Sequence, residues 1–136
     1  MQKRSLEDYL RAIYTVLEIK KDKSTGIKSV DIAKELGISK PSVSEMMKKL
    51  ALEGYIRLNP YSQVFLTKKG LINAKKITHN YRVLEVFLKK VLKYSEKEIP
   101  VLAHRLEHAF PQEAMKRLDK YLGNPSRCPH GRIIHG

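Results

Sequence analysis

The chain has 136 residues, with 27 lysines and arginines against 14 aspartates and glutamates, a formal net charge of +13 at pH 7 and 42% hydrophobic residues. That length buries a core without covalent staples, and that charge points to a polyanionic partner. A single cysteine excludes an internal disulfide, no apolar run reaches the roughly 18 residues of a membrane span, and the opening Met-Gln-Lys-Arg lacks a signal core, so a cytoplasmic protein without a membrane partner is expected.

Ser5 and Asp8 form an S-x-x-D start signal, and Leu6, Leu10, Ile13 and Leu17 recur at helical spacing, which predicts a helix over about 6–20. The polar run 20–26 ends it. Ser29 opens a short second helix with Val30, Ala33 and Leu36 on one face, stopped by Gly37. Ser39 caps a third helix almost at once, with Pro41 in its first turn, where a missing N–H does no harm, and Val43, Met47 and Leu50 facing inward. Two helices joined by a tight glycine turn are a helix-turn-helix pattern. The period then changes: Ile56 and Leu58, then Val64 and Leu66, alternate with polar neighbours around Asn59-Pro60-Tyr61-Ser62-Gln63, which predicts a two-stranded hairpin, or wing.

Thr67 is the expected N-cap of a long helix in which Ile77, Tyr81, Leu84, Leu88 and Val91 keep a spacing suited to helix pairing. Ser95 with Glu98 predicts a capping box for a fifth helix that ends near Phe110, and Pro111 opens a sixth that runs to Gly123. The remaining tail is rich in Gly, Pro and His and reads as irregular. The expected fold is mainly α: a winged helix-turn-helix domain over residues 1–70, then a helical domain suited to pairing over 71–136.

A helix that enters the major groove presents small polar and basic side chains on its exposed N-terminal face. Ser39, Lys40, Ser42, Ser44, Glu45 and Lys48, with Pro41 among them, supply that face. An ordinary solvated surface would require neither the preceding helix and turn, nor the following hairpin, nor the overall charge, so DNA binding is the preferred reading. Ser62 and Gln63 in the wing, with Lys68 and Lys69 beyond it, are expected at the DNA backbone or minor groove, although a solubilising turn has the same composition.

His104, Glu107 and His108 stand at i, i+3 and i+4, so two imidazoles and a carboxylate share one helical face and can converge on one ion. The same string is the H-x-x-E-H signature of inverted zinc peptidases, which needs a third ligand on a separate downstream element. After His108 the acids available are Glu113 and Asp119, and a zinc-dependent hydrolase is the least favoured reading. A structural pairing of the histidines with Glu107 is the stronger competitor. Cys128, His130 and His135 are loosely spaced for zinc, so a flexible tail is expected there.

Five stretches carry a resemblance to a known family. They are Leu6-Glu7-Asp8-Tyr9-Leu10-Arg11-Ala12-Ile13-Tyr14, the run from Val30 to Ser44, Leu66-Thr67-Lys68-Lys69-Gly70, Arg105-Leu106-Glu107-His108, and Cys128-Pro129-His130-Gly131. In this order they resemble the diphtheria-toxin-repressor and manganese-transport-regulator family of metal-dependent repressors across nearly the whole chain. The resemblance implies a homodimer that binds operator DNA, with no small-molecule substrate, and Fe²⁺ or Mn²⁺ as co-repressor between the two domains. It places Asp8 at a first-helix metal ligand, Glu85 at a carboxylate on the long helix, and His104, Glu107 and His108 at the fifth-helix ligands. The chain departs from the family at Tyr81, where a His is usual, and at Arg11, where manganese-type members carry a second Glu; His79 lies around 200° from Tyr81 on the helix and is no simple substitute. His104 stands where Cys or a carboxylate is common, and its added nitrogen favours Fe²⁺ over Mn²⁺. Longer members continue past Cys-Pro-His-Gly into a small third β-domain, so the two-domain form is expected. A regulator of the same architecture that no longer senses metal is the alternative.

Overall fold

The computed structural model describes the backbone of residues 3–20 and 25–135 and the side chains of residues 5–20 and 25–135. Among the described residues the order is α1 (Lys3–Ile19), β1 (Ile27–Lys28), α2 (Ser29–Leu36), α3 (Lys40–Leu52), β2 (Ile56–Leu58), β3 (Gln63–Leu66), α4 (Lys68–Lys90), α5 (Ile99–Ala109) and α6 (Gln112–Tyr121). Part of the polar run expected to end the first helix, residues 21–24, lies outside the described residues. The chain divides into two compact units, Met1–Lys75 and Lys76–Gly136.

In the first unit, Tyr9 and Ile13 of α1 join Ile27, Ile32, Ala33, Val43, Met47, Leu50, Ile56 and Val64 in one buried core. Burial, with the Asp8 carboxylate beside it, pushes the Tyr9 phenol up from its ordinary value. The helix-turn-helix forms as its local signals require. Gly37 takes a left-handed φ of 68° and its N–H closes α2 onto the Ala33 carbonyl, while Ser39 accepts the Ser42 N–H at the start of α3. Ser29 is not the cap of α2. Lys28 holds that place in extended conformation because β1 pairs it with Gln63.

The wing differs from the expected two-stranded hairpin. Ile27 and Lys28 add a third strand, antiparallel to β3, and the sheet order is β1-β3-β2. Its turn is built on Asn59, whose Oδ1 accepts the N–H groups of Tyr61 and Gln63 at 3.0 and 2.9 Å, while Ser62 takes a φ of 60°. Thr67 caps α4 as expected, accepting the Gly70 N–H at 3.1 Å and donating to the Gly54 carbonyl at 2.6 Å.

In the second unit, Val83, Leu84, Val86 and Leu88 of α4 pack with Ile99 and Ala103 of α5, Met115 and Leu118 of α6, and Cys128 and Ile134. The expected α4 stripe holds at Leu84 and Leu88, whereas Val91 is exposed. Glu98 accepts both the N–H and the hydroxyl of Ser95 at 3.0 and 2.9 Å, and α5 begins directly after it.

The flexible tail is corrected. Cys128 and Ile134 are buried, the Cys128 N–H bonds to the Arg132 carbonyl at 2.9 Å, and the Ile134 N–H bonds to the Ser126 carbonyl at 2.8 Å. Arg82 donates to the Ile133 carbonyl at 2.8 Å, and His79 bridges Asp119 and the His135 carbonyl. Two apolar anchors and these bonds to α4 hold a segment that has no periodicity of its own.

Candidate metal centres and DNA-reading surface

The residues expected to read DNA lie on one side of α3 and at its N-cap. Val43, Met47 and Leu50 fix the buried face, which leaves Ser39, Lys40, Pro41, Ser42, Ser44, Glu45 and Lys48 exposed. Hydroxyl donors and acceptors, two ammonium groups and one carboxylate suit base edges and phosphates. Ser39 Oγ also donates to Ser42 Oγ at 2.9 Å, so the helix tip presents a paired hydroxyl. In the wing, Ser62 is exposed at the turn, while Gln63 is half-buried and accepts from the Asn59 side-chain amide at 2.8 Å. Tyr61, absent from the sequence-based set, is 85% exposed at the same tip. Lys69 is engaged within the fold: its ammonium donates to the Glu53 carbonyl at 2.9 Å and lies over the Tyr55 ring.

On α5 the i, i+3, i+4 spacing brings His104, Glu107 and His108 together. Nε2 of His108 lies 3.4 Å from Nε2 of His104 and 3.5 Å from Oε1 of Glu107, and the two rings meet edge to face. The Glu107 carboxylate is buried and both histidines are half-buried. Facing imidazole nitrogens beside a desolvated carboxylate fit a divalent transition ion in donor type and in charge. In the other unit, Asp8 is half-buried on α1 and pairs with Arg11 at 3.6 Å, so the side chain that departs from the family is the one beside this carboxylate.

Glu85 does not join the α5 trio. Its carboxylate, buried on α4, is grouped with Cys128 and His130, their donor atoms all within 4.8 Å of one another. Oε2 of Glu85 lies 3.0 Å from His130 Nδ1. On the opposite edge of the ring, His130 Nε2 is 3.0 Å from Oε2 of Glu96, which also pairs with Lys89. The Lys89 hydrogen bond, ahead of the charges around it, holds the Glu96 carboxyl below its ordinary value. A carboxylate, a thiol and an imidazole offer the mixed oxygen, sulfur and nitrogen set of a borderline transition ion. The sequence signal for this group was Cys-Pro-His-Gly, whose partner on α4 becomes visible only in the folded chain. His135 contributes its carbonyl to His79 and stands outside the group.

Among the described residues no helix is long and apolar enough to cross a membrane. Two family models cover nearly the whole chain: the iron-dependent repressor N-terminal DNA-binding domain over residues 1–64, and the iron-dependent repressor metal-binding and dimerisation domain over residues 67–136. The chain is 37% identical over 119 residues to an uncharacterized HTH-type transcriptional regulator of Methanocaldococcus jannaschii, covering 88% of this chain and 93% of that protein. It is 31% identical over 130 residues to the iron-dependent repressor IdeR of Mycobacterium tuberculosis, covering 96% of this chain and 55% of IdeR. The solved structure of the manganese regulator SloR superposes with a TM-score of 0.82 at 40% identity, covering 96% of this chain and 59% of SloR. The chain thus spans nearly all of the Methanocaldococcus jannaschii relative and somewhat over half of the longer repressors. These relatives are transcriptional regulators, which removes the zinc-hydrolase reading of His104, Glu107 and His108. With a winged helix-turn-helix ahead of a helical metal-binding and dimerisation domain, the chain belongs to the iron-dependent repressor family of metal-dependent DNA-binding regulators, whose members answer to iron or manganese.

Proposed function

We propose that this protein is a cytoplasmic, metal-activated repressor of metal-homeostasis genes that binds its operator as a homodimer, with Fe²⁺ ahead of Mn²⁺ as its co-repressor. The observation that carries this reading is the convergence of His104, Glu107 and His108 on one half-buried face of α5, in a chain where α3 and its Ser39 cap present seven exposed residues for DNA. Asp8 enters as the ligand of the DNA-binding unit on the family resemblance alone. Glu85, with Cys128 and His130, supplies a second donor group. Ser39, Lys40, Pro41, Ser42, Ser44, Glu45 and Lys48 contact bases and phosphates, and Ser62 and Gln63 bring the wing against the duplex.

When bound, the ion supplies positive charge and fixed coordination angles. The residues do the rest: α5 holds its donors on one face through the buried side of the helix, and ligand binding favours the arrangement in which α3 can engage DNA. The second imidazole of His104 favours Fe²⁺ because nitrogen donors suit it better than they suit Mn²⁺.

The test uses duplexes selected from a random pool with Mn²⁺-loaded protein. Their affinity is then measured under anaerobic conditions with chelator, with Fe²⁺ and with Mn²⁺. Tight binding only with metal, lost in His108→Ala while the dimer persists, is the expected result. Equal affinity with chelator and with metal would instead establish a winged-helix regulator that does not sense metal, and unchanged activation of His108→Ala would remove the site assignment.

A further inference from the structure

We infer that Glu96 is a positioning residue for the second donor group, holding the His130 ring so that Nδ1 faces Glu85 and Cys128. The inference rests on reading Glu85, Cys128 and His130 as a metal-binding group. Two of those donors are fixed by the fold, because Glu85 is buried on α4 and Cys128 is buried in the core of its unit. His130 is not. Its side chain is 43% exposed on the turn that closes from the Gly131 N–H to the Cys128 carbonyl, so packing constrains the ring less than it constrains the two buried donors.

What orients it is a pair of bonds on opposite ring edges, Nδ1 to Glu85 and Nε2 to Glu96, each at 3.0 Å. Glu96 is anchored in turn by Lys89, one turn beyond Glu85 on the same helix, so the series Glu85, His130, Glu96, Lys89 closes back on α4. Because Glu96 meets the far nitrogen, it acts through the imidazole and is not a ligand of an ion shared by Glu85 and Cys128. A carboxylate on the remote nitrogen of a ligating histidine fixes tautomer and ring direction, and its removal typically weakens metal affinity about 10- to 100-fold.

The experiment titrates the full chain with Co²⁺ alone, without oxygen, and follows the thiolate-to-cobalt charge-transfer band. Cys128 is the sole thiol, so that band reports this group and is silent on His104, Glu107 and His108. Wild type should show the band and Cys128→Ser should lack it. Glu96→Ala should need about 10- to 100-fold more Co²⁺ to reach the same band. Glu96→Gln, whose amide oxygen still accepts from Nε2–H, should stay within about threefold of wild type. Wild-type affinity in Glu96→Ala would overturn the positioning role while leaving the donor group standing. An equal loss in Glu96→Gln would overturn it too, by assigning the effect to charge alone. Absence of the band in wild type would remove the donor group itself, and the role of Glu96 with it.

Discussion

Gly70 stands in the first turn of α4, and its N–H is the one that Thr67 caps. A Cβ at that position would lie 1.9 Å from the backbone carbonyl oxygen of Tyr55, a group that the sheet-to-helix junction cannot easily move because the Thr67 N–H bonds to it at 3.1 Å. Two effects oppose each other in Gly70→Ala. Alanine gains about 1 kcal/mol of helix propensity, while forcing an atom into occupied space costs about 1–3 kcal/mol and sometimes more. With backbone as the obstacle the clash should win, lowering Tm by about 5 °C in a calorimetric scan. An unchanged or raised Tm would show that the junction yields. The family resemblance included this glycine within Leu66-Thr67-Lys68-Lys69-Gly70, and the close approach gives a physical reason for it.

At the scale of elements, α3 and the start of α5 permit sharper tests than their sequences alone did. Lys48 is exposed on the side of α3 opposite Val43, Met47 and Leu50, so Lys48→Ala should weaken binding to every duplex alike and flatten the plot of log affinity against log salt by about 0.9, the contribution of one phosphate. A loss confined to one operator would instead make Lys48 a base reader. Before α5, bonds from the Ser95 N–H, then from its hydroxyl, hold the Glu98 carboxyl below its ordinary value of 4.5. A depressed carboxyl stabilises the fold above its unfolded value and loses that contribution as pH falls through the folded one. Urea midpoints of wild type and Glu98→Gln should therefore differ near pH 7 and converge below about pH 4.5; a constant gap would show that the charge is irrelevant. These elements were legible because their signals are local: caps, glycine stops and periodicity placed the helices, and i, i+3, i+4 spacing placed His104, Glu107 and His108 on one face. β1 escaped because a two-residue strand has no period and exists only through pairing with Val64 and Gln63. The tail escaped for a related reason, since Cys128 and Ile134 are anchored by contacts that no spacing within the tail encodes. The same gap hid the proximity of Glu85 to Cys128 and His130, residues far apart along the chain.

For the molecule as a whole, a net charge of +13 gives attraction to any duplex, and on its own it yields little discrimination among sequences. Specificity has to come from base contacts, and one recognition helix such as α3 would reach only a few base pairs in the major groove. A dimerisation domain changes that arithmetic. Two copies of α3 related by a twofold axis read two half-sites of opposite orientation, and the free energies of the two add when both helices meet the major groove on one side of the duplex. The operator should therefore be an inverted repeat whose half-site centres are separated by about one helical turn, roughly 10 base pairs, or a multiple of it. Inserting about 5 base pairs at its centre turns one half-site to the opposite face and should reduce affinity to nearly that of a single half-site, whereas inserting about 10 should restore part of it. Footprinting with metal-loaded protein on the three duplexes reads this directly. Equal protection of all three would mean that each subunit binds alone, and dimerisation would then have to serve stability or metal sensing instead of operator choice.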